Sequence, residues 1–196
     1  VDTSAASGRS GSLLLDPTDL YVVNGPAKSD AAVAANGSGA SSTSTGSDSN
    51  NTISVGQLQS LGDTNITLQA KRTLTVGSSD GAPATVDLSS TLTTPSNSLT
   101  LQAGDAVTTG SGAGDVVFNA GSAIMTGGGS VRIVAGDTVT KSGNARLGSV
   151  TTAGGNIAVL AQQSVSVNGT ATLSTSGRSG ACLLYTSPSP RDQRGS

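Results

Sequence analysis

The twelve acidic residues of this 196-residue chain are all aspartates, and they are the side chains with the widest chemical reach. Asp63, Asp80, Asp87, Asp105, Asp115 and Asp137 fall in its patterned part. Asp105 and Asp137 hold equivalent places, in Ala103-Gly104-Asp105 and Ala135-Gly136-Asp137. Stacked on neighbouring repeats, such a pair is close enough for general acid–base work on a sugar chain. The same positions suit turn residues, whose short carboxylates bond nearby backbone N–H groups. The turn reading is preferred, because catalysis needs convergent partners and no Glu, His or aromatic platform accompanies them.

Other chemistries fall away on residue type. With no His and the single Cys182, sites built on imidazole or paired thiolates are excluded. Gly-Asp pairs recur without the Gly-Gly-x-Gly-x-Asp pattern of calcium-loaded β-rolls. Gly127-Gly128-Gly129 and Gly154-Gly155 read as bends, since neither leads into the Lys-Ser/Thr ending and helix of a phosphate cradle. The many Ser residues lack a His and a Gly-x-Ser-x-Gly elbow, so none reads as a nucleophile. Asn36, Asn50, Asn65 and Asn168 begin formal glycosylation sequons, which arise by chance in so Ser/Thr-rich a chain. Lys71-Arg72, the basic pair of the patterned part, reads as a solvated corner. No catalytic, cofactor-binding or metal-ligating residue is therefore assigned, and no cofactor is expected. A formal charge of −2 with no basic cluster argues against nucleic acid. Membrane insertion is not expected either, because Leu13-Leu14-Leu15 is far too short to cross a bilayer.

The elements that carry these residues follow from an internal pattern. Five segments share apolar, any, apolar, any, Ala: 66–70, 99–103, 116–120, 131–135 and 157–161. Period-two alternation marks half-buried strands, and the fixed Ala suits a corner with room for one small side chain. Gly104, Gly121 and Gly136 follow that Ala, as a sharp turn wants. The unit expected is strand, bend, strand, with a period near 16 residues. Val86-Asp87-Leu88 then stands as a degenerate copy, and Leu147-Gly148-Ser149-Val150 as an extra piece. One unit cannot bury its apolar face alone, so the units must stack. Short strands, small corner residues and 2% aromatics fit a parallel β-helix better than an antiparallel sandwich, which wants about seven longer strands and two-residue hairpins. Outward Ser, Thr and Asn would then form ladders between rungs about 4.8 Å apart.

The expected fold is all-β, a parallel β-helix solenoid with one long flexible insertion. Residues 1–23 read as a first partial rung, 24–51 as a Ser/Gly/Asn-rich insertion without period, and 52–180 as the repeats. From Ala181 the composition shifts to Cys182-Leu183-Leu184-Tyr185, followed by a Pro- and Arg-containing end. Residues 181–196 resemble a tail produced when a sequencing adapter is translated, and are set aside from fold reasoning. The start at Val1 reads as an internal fragment, so the lack of a leader carries no weight on export.

Leu14-Leu15-Asp16-Pro17 with Leu20-Tyr21-Val22, then Ile53-Ser54-Val55 and Thr64-Asn65-Ile66-Thr67-Leu68-Gln69-Ala70, resembles adhesins of the filamentous-haemagglutinin type. The later Leu99-Thr100-Leu101-Gln102-Ala103-Gly104-Asp105 and Gly155-Asn156-Ile157-Ala158-Val159 rungs are similar to that family's repeats. The resemblance spans about residues 11–177. It implies a right-handed β-helical shaft of a bacterial two-partner-secretion exoprotein, exported through an outer-membrane secretion pore and displayed or released outside the cell. The family's secretion domain, with its Asn-Pro-Asn-type motifs, is absent here, and no family binding residue carries over.

Two functions of different class follow. The first is a structural shaft segment of a secreted or surface adhesin, not an enzyme, which holds regions that bind host-cell or matrix glycans or proteins away from the cell. The second is a carbohydrate-active enzyme with an Asp cleft. A self-associating matrix or filament protein shares the architecture of the first.

Overall fold

The computed structural model describes residues 12–15, 18–26, 50–104, 114–136, 142–176 and 180–186. Most of the expected 24–51 insertion, together with Asp105 and Asp137, lies outside the described residues. Every strand pairing given for the described residues is parallel, and the strands fall into three sheets. The first sheet holds β1 (Ser12–Leu15), β4 (Asn65–Ala70), β7 (Ser98–Ala103), β10 (Ser130–Ala135), β13 (Ile157–Ala161) and β16 (Cys182–Thr186), in that order. The second runs β3 (Asn50–Ser54), β2 (Asp19–Val23), β5 (Thr73–Val76), β8 (Asp115–Phe118), β11 (Asn144–Leu147), β14 (Ser164–Val167). The third is β6 (Thr85–Leu88), β9 (Ala123–Thr126), β12 (Ser149–Thr152), β15 (Leu173–Thr175). From β4 onward the chain visits the first, second and third sheets in turn, so each strand pairs with the one three places later.

Alternation makes these strands. In β4 and β7 the outward residues Asn, Thr and Gln, with Ser, alternate with buried Ile66, Leu68, Ala70 and Leu99, Leu101, Ala103. Register then sets like upon like. Ile66 faces Leu99, which faces Val131, which faces Ile157, and the same row is kept by Leu68, Leu101, Ile133 and Val159. Ala70, Ala103, Ala135 and Ala161 form a third column. One apolar cluster draws on all three sheets, including Leu68, Leu74, Val86 and Ile124. Burying each Leu or Ile there contributes about 1.5–3 kcal/mol.

Two sequence readings need correction. Residues 116–120 are not a copy of the Ala-ended strand: β8 belongs to the second sheet, where Val116 lies between Leu74 and Ala145. The true Ala column is spaced 33, 32 and 26 residues apart, so the unit has three strands rather than two. Val86-Asp87-Leu88 is accordingly a full strand of the third sheet, and Leu147–Val150 spans the junction of β11 with β12. The physical reason is that all three sheets bury one face, so all three alternate. Alternation alone cannot say to which sheet a strand belongs.

Two segments differ from their sequence description in another way. Thr52 and Ile53 are in a strand as expected, but Val55 and Leu58 fall in the five-residue helix α1 (Val55–Gln59). Its N-cap is Ser54, whose Oγ accepts the Gln57 N–H at 3.2 Å and satisfies one of the free donors of the first turn. At the other end, Cys182–Thr186 pairs in register with β13 although every residue of that strand is exposed.

Candidate functional site

Among the described residues, much of the side-chain hydrogen bonding lies at the corners between sheets. At the entry to the first sheet, Asn65 Oδ1 accepts the Ser98 N–H at 3.0 Å and the Ser98 hydroxyl at 3.2 Å. Further along, Ser130 Oγ accepts the Asn156 N–H at 3.1 Å, and Asn156 Oδ1 accepts the Ala181 N–H at 2.9 Å. These are the side-chain ladders expected of outward Ser and Asn, placed at strand starts. At the third-to-first corner the buried hydroxyls of Thr126 and Thr152 donate to the Gly129 and Gly155 carbonyls, and the Thr175 hydroxyl donates to that of Gly180. The glycine runs 127–129 and 154–155 lie at these bends.

The described aspartates of the patterned part sit apart, on separate loops and strands. Asp63 precedes β4; its carboxylate accepts the Thr93 N–H at 3.2 Å, the Thr93 hydroxyl at 3.0 Å and Asn97 Nδ2 at 2.9 Å. Burial works to raise its pKa, but hydrogen bonds from Asn97, Thr94 and Thr93 outweigh it and the net shift is downward. Asp80 sits in the β5–β6 connection, held below its ordinary value by the Ser78 hydroxyl and then by the Ala82 N–H. Asp87, on the outward side of β6, is lowered by the Ser89 hydroxyl and the Ser89 N–H at 3.0 Å. Asp115 opens β8 and accepts the Asn144 N–H at 2.8 Å and Asn144 Nδ2 at 3.1 Å. Asn144 Oδ1 in turn accepts the Ser164 hydroxyl at 2.6 Å, which extends that ladder over three strands of the second sheet. Each of these four carboxylates is thus spent on loop or strand donors. Among the described residues no group of three or more His, Cys, Asp or Glu is placed to hold a metal ion.

Sequence reading missed one ion pair. Arg72 does not simply face water: its Nε donates to Asp19 Oδ1 at 2.9 Å, and its Nη2 donates to Oδ2. Asp19 is buried, and its Oδ1 also accepts the Thr73 N–H at 3.2 Å. The signal available was the Asp19–Thr73 pairing of β2 with β5, which cannot be known without the register. The second-to-third corner hides a similar device. Asn119 Nδ2 reaches back past Gly77 to the Ser78 and Ala82 carbonyls, each at 2.9 Å, and a Cβ on Gly77 would lie 2.6 Å from Asn119 Cγ.

Backbones approach most closely at the first-to-second corner. Gly104 and Gly136 have φ of 86° and 83°, where a side chain is strained. A Cβ on Gly104 would stand 3.0 Å from Gly114 Cα and 3.2 Å from Gly136 Cα. One on Gly143 would stand 2.5 Å from Gly136 Cα. Gly104 with Gly114, and Gly136 with Gly143, are therefore the two sides of narrow necks at this corner.

What the arrangement does chemically is brace the corners, locally at Asp80, Asp87, Thr126 and Thr152, and from one strand level to the next at Asp63, Asn65, Asp115 and Asn119. Within the described residues, no helix is long and apolar enough to cross a membrane. No protein-family model, curated protein or solved structure matches this chain.

Proposed function

We propose that the three sheets are the faces of a right-handed parallel β-helix, and that the chain is a structural shaft segment of a bacterial secreted or surface adhesin. The observation that carries the reading is the in-register stacking of β4, β7, β10 and β13, with aliphatic upon aliphatic and Ala upon Ala. Parallel crossovers are right-handed in about 98% of cases, which supports the hand. Each coil then contacts only its neighbours, and length is added coil by coil without changing the cross-section. The polar side chains support the same role, since those traced above hold corners together rather than converge on a cleft. Low charge and small residues suit passage of the unfolded chain through an outer-membrane pore, with coils added on the outside.

The test pairs shape with activity. Small-angle scattering of the purified chain is expected to give the constant cross-section of a short rod. Binding to a glycan array and to host cells, and cleavage of polysaccharides, are expected to be absent from this segment alone. Saturable glycan binding would move the adhesive surface onto the shaft itself. Cleavage lost in the Asp105→Asn, Asp137→Asn double variant would replace the shaft by the enzyme.

A further inference from the structure

The two ends of the stack are not equivalent. At the far end the outermost strands of the second and third sheets are β14 and β15, and Val167 of β14 stands 41% exposed. The other large apolar residues exposed among the described ones, Leu183, Leu184 and Tyr185, belong to the 181–196 segment set aside above. At the near end the outermost strand of the second sheet is β3, yet Ile53 is fully buried, as are Leu58 and Leu61 beside it. The difference lies in how the chain is routed. The next described strand after β2 is β3, which pairs on the outer side of β2, against the direction in which every later strand is added. Next, α1 packs against β6, the outermost strand of the third sheet. There Gln59 Nε2 donates to the Asp87 carbonyl at 2.8 Å, and Leu58 closes over the core.

We infer that residues 50–61 are an end cap: β3 occupies the place in the second sheet that a preceding coil would need, and α1 covers the third sheet. The inference rests on the coiled reading above and adds a direction to it. A further coil requires a strand in all three sheets. Beside β1 the first sheet offers an edge, but the second and third are closed at this end. New coils are accepted only at the open end, beyond β14, β15 and β16.

Register makes the test exact in design, because Ser12, Ser130 and Ala181 stand in one column through Asn65, Ser98 and Asn156. A copy of residues 98–129, one whole coil, is inserted into the full chain at three places in separate proteins. The sites are before Ser12, between Gly129 and Ser130, and between Gly180 and Ala181. Amide hydrogen exchange is then read on the strands of the copy. The internal copy and the open-end copy are expected to be protected like the native β7 and β8. The copy before Ser12 is expected to exchange freely in its second and third strands. Protection of all three of its strands would overturn the cap, whether or not residues 50–61 lost theirs. Free exchange of the open-end copy alongside a protected internal copy would overturn it as well. An unprotected internal copy would instead bring down the coiled reading, and the cap with it.

Discussion

Gly136→Ala and Gly81→Ala make a matched pair of perturbations. Both glycines have a left-handed backbone, φ 83° at Gly136 and 91° at Gly81. Their surroundings are opposite. A Cβ at Gly81 meets nothing within 4 Å, whereas one at Gly136 would lie 2.8 Å from both Gln162 Cγ and Ser142 C and run into the Ser142 carbonyl oxygen. The backbone penalty for a residue with a Cβ, about 1–2 kcal/mol, is common to both. Overpacking adds about 1–3 kcal/mol at Gly136 alone. Gly81→Ala should therefore cost about 1–2 kcal/mol and Gly136→Ala about 2–5 kcal/mol. Urea unfolding gives the totals, and because stacked repeats need not unfold in one step, hydrogen exchange of residues 131–136 and 157–161 locates the loss. Equal costs in the two variants, or a Gly136→Ala effect spread evenly along the chain, would refute the close approach of Gly136 to Ser142 and Gln162.

Replacing Leu101 by Asp puts an unpaired charge at a position 1% exposed and should cost about 3–5 kcal/mol, read as a collapse of the urea midpoint. Arg72→Ala leaves the buried Asp19 carboxylate with the Thr73 N–H but without its guanidinium, and should cost about 1–2 kcal/mol given the half-exposed arginine; an unchanged midpoint would refute a role for the pair. The carboxyls of Asp63, Asp80 and Asp87 are held below their ordinary values in the folded chain, so they bind fewer protons there than when unfolded. Their contribution is complete above the ordinary carboxylate range and is lost as pH falls through the folded values. Urea midpoints are accordingly expected to be flat from neutral pH to about pH 5 and to fall below it, less steeply in Asp63→Asn.

The strands were legible from alternation, and the corners from Ala and Gly, because burial on one face and a tight turn each leave a local mark. The three-strand unit was not legible. Residues 116–120 end in Ala exactly as the first-sheet strands do, yet Val116 pairs with Leu74 and Ala145. Only the spacing of the genuine column separates the two cases. Asp63 and Asp115 could be read as corner carboxylates but not assigned partners, since Asn97 is 34 residues and Asn144 29 residues away in sequence. The β3–α1 segment was hardest of all. Its Ile53, Val55 and Leu58 spacing carries a strand and a helix within six residues, and a helix of one turn has no period to detect.

The paired glycine necks have a consequence for how this sequence can change. At Gly104 with Gly114, and at Gly136 with Gly143, the described backbones stand at contact distance, and all four glycines have positive φ. A side chain at any of the four is both crowded and strained, so sequence change along this corner has to leave these four positions as they are. The columns tolerate any aliphatic side chain of the right size, whereas this corner is fixed by residue type.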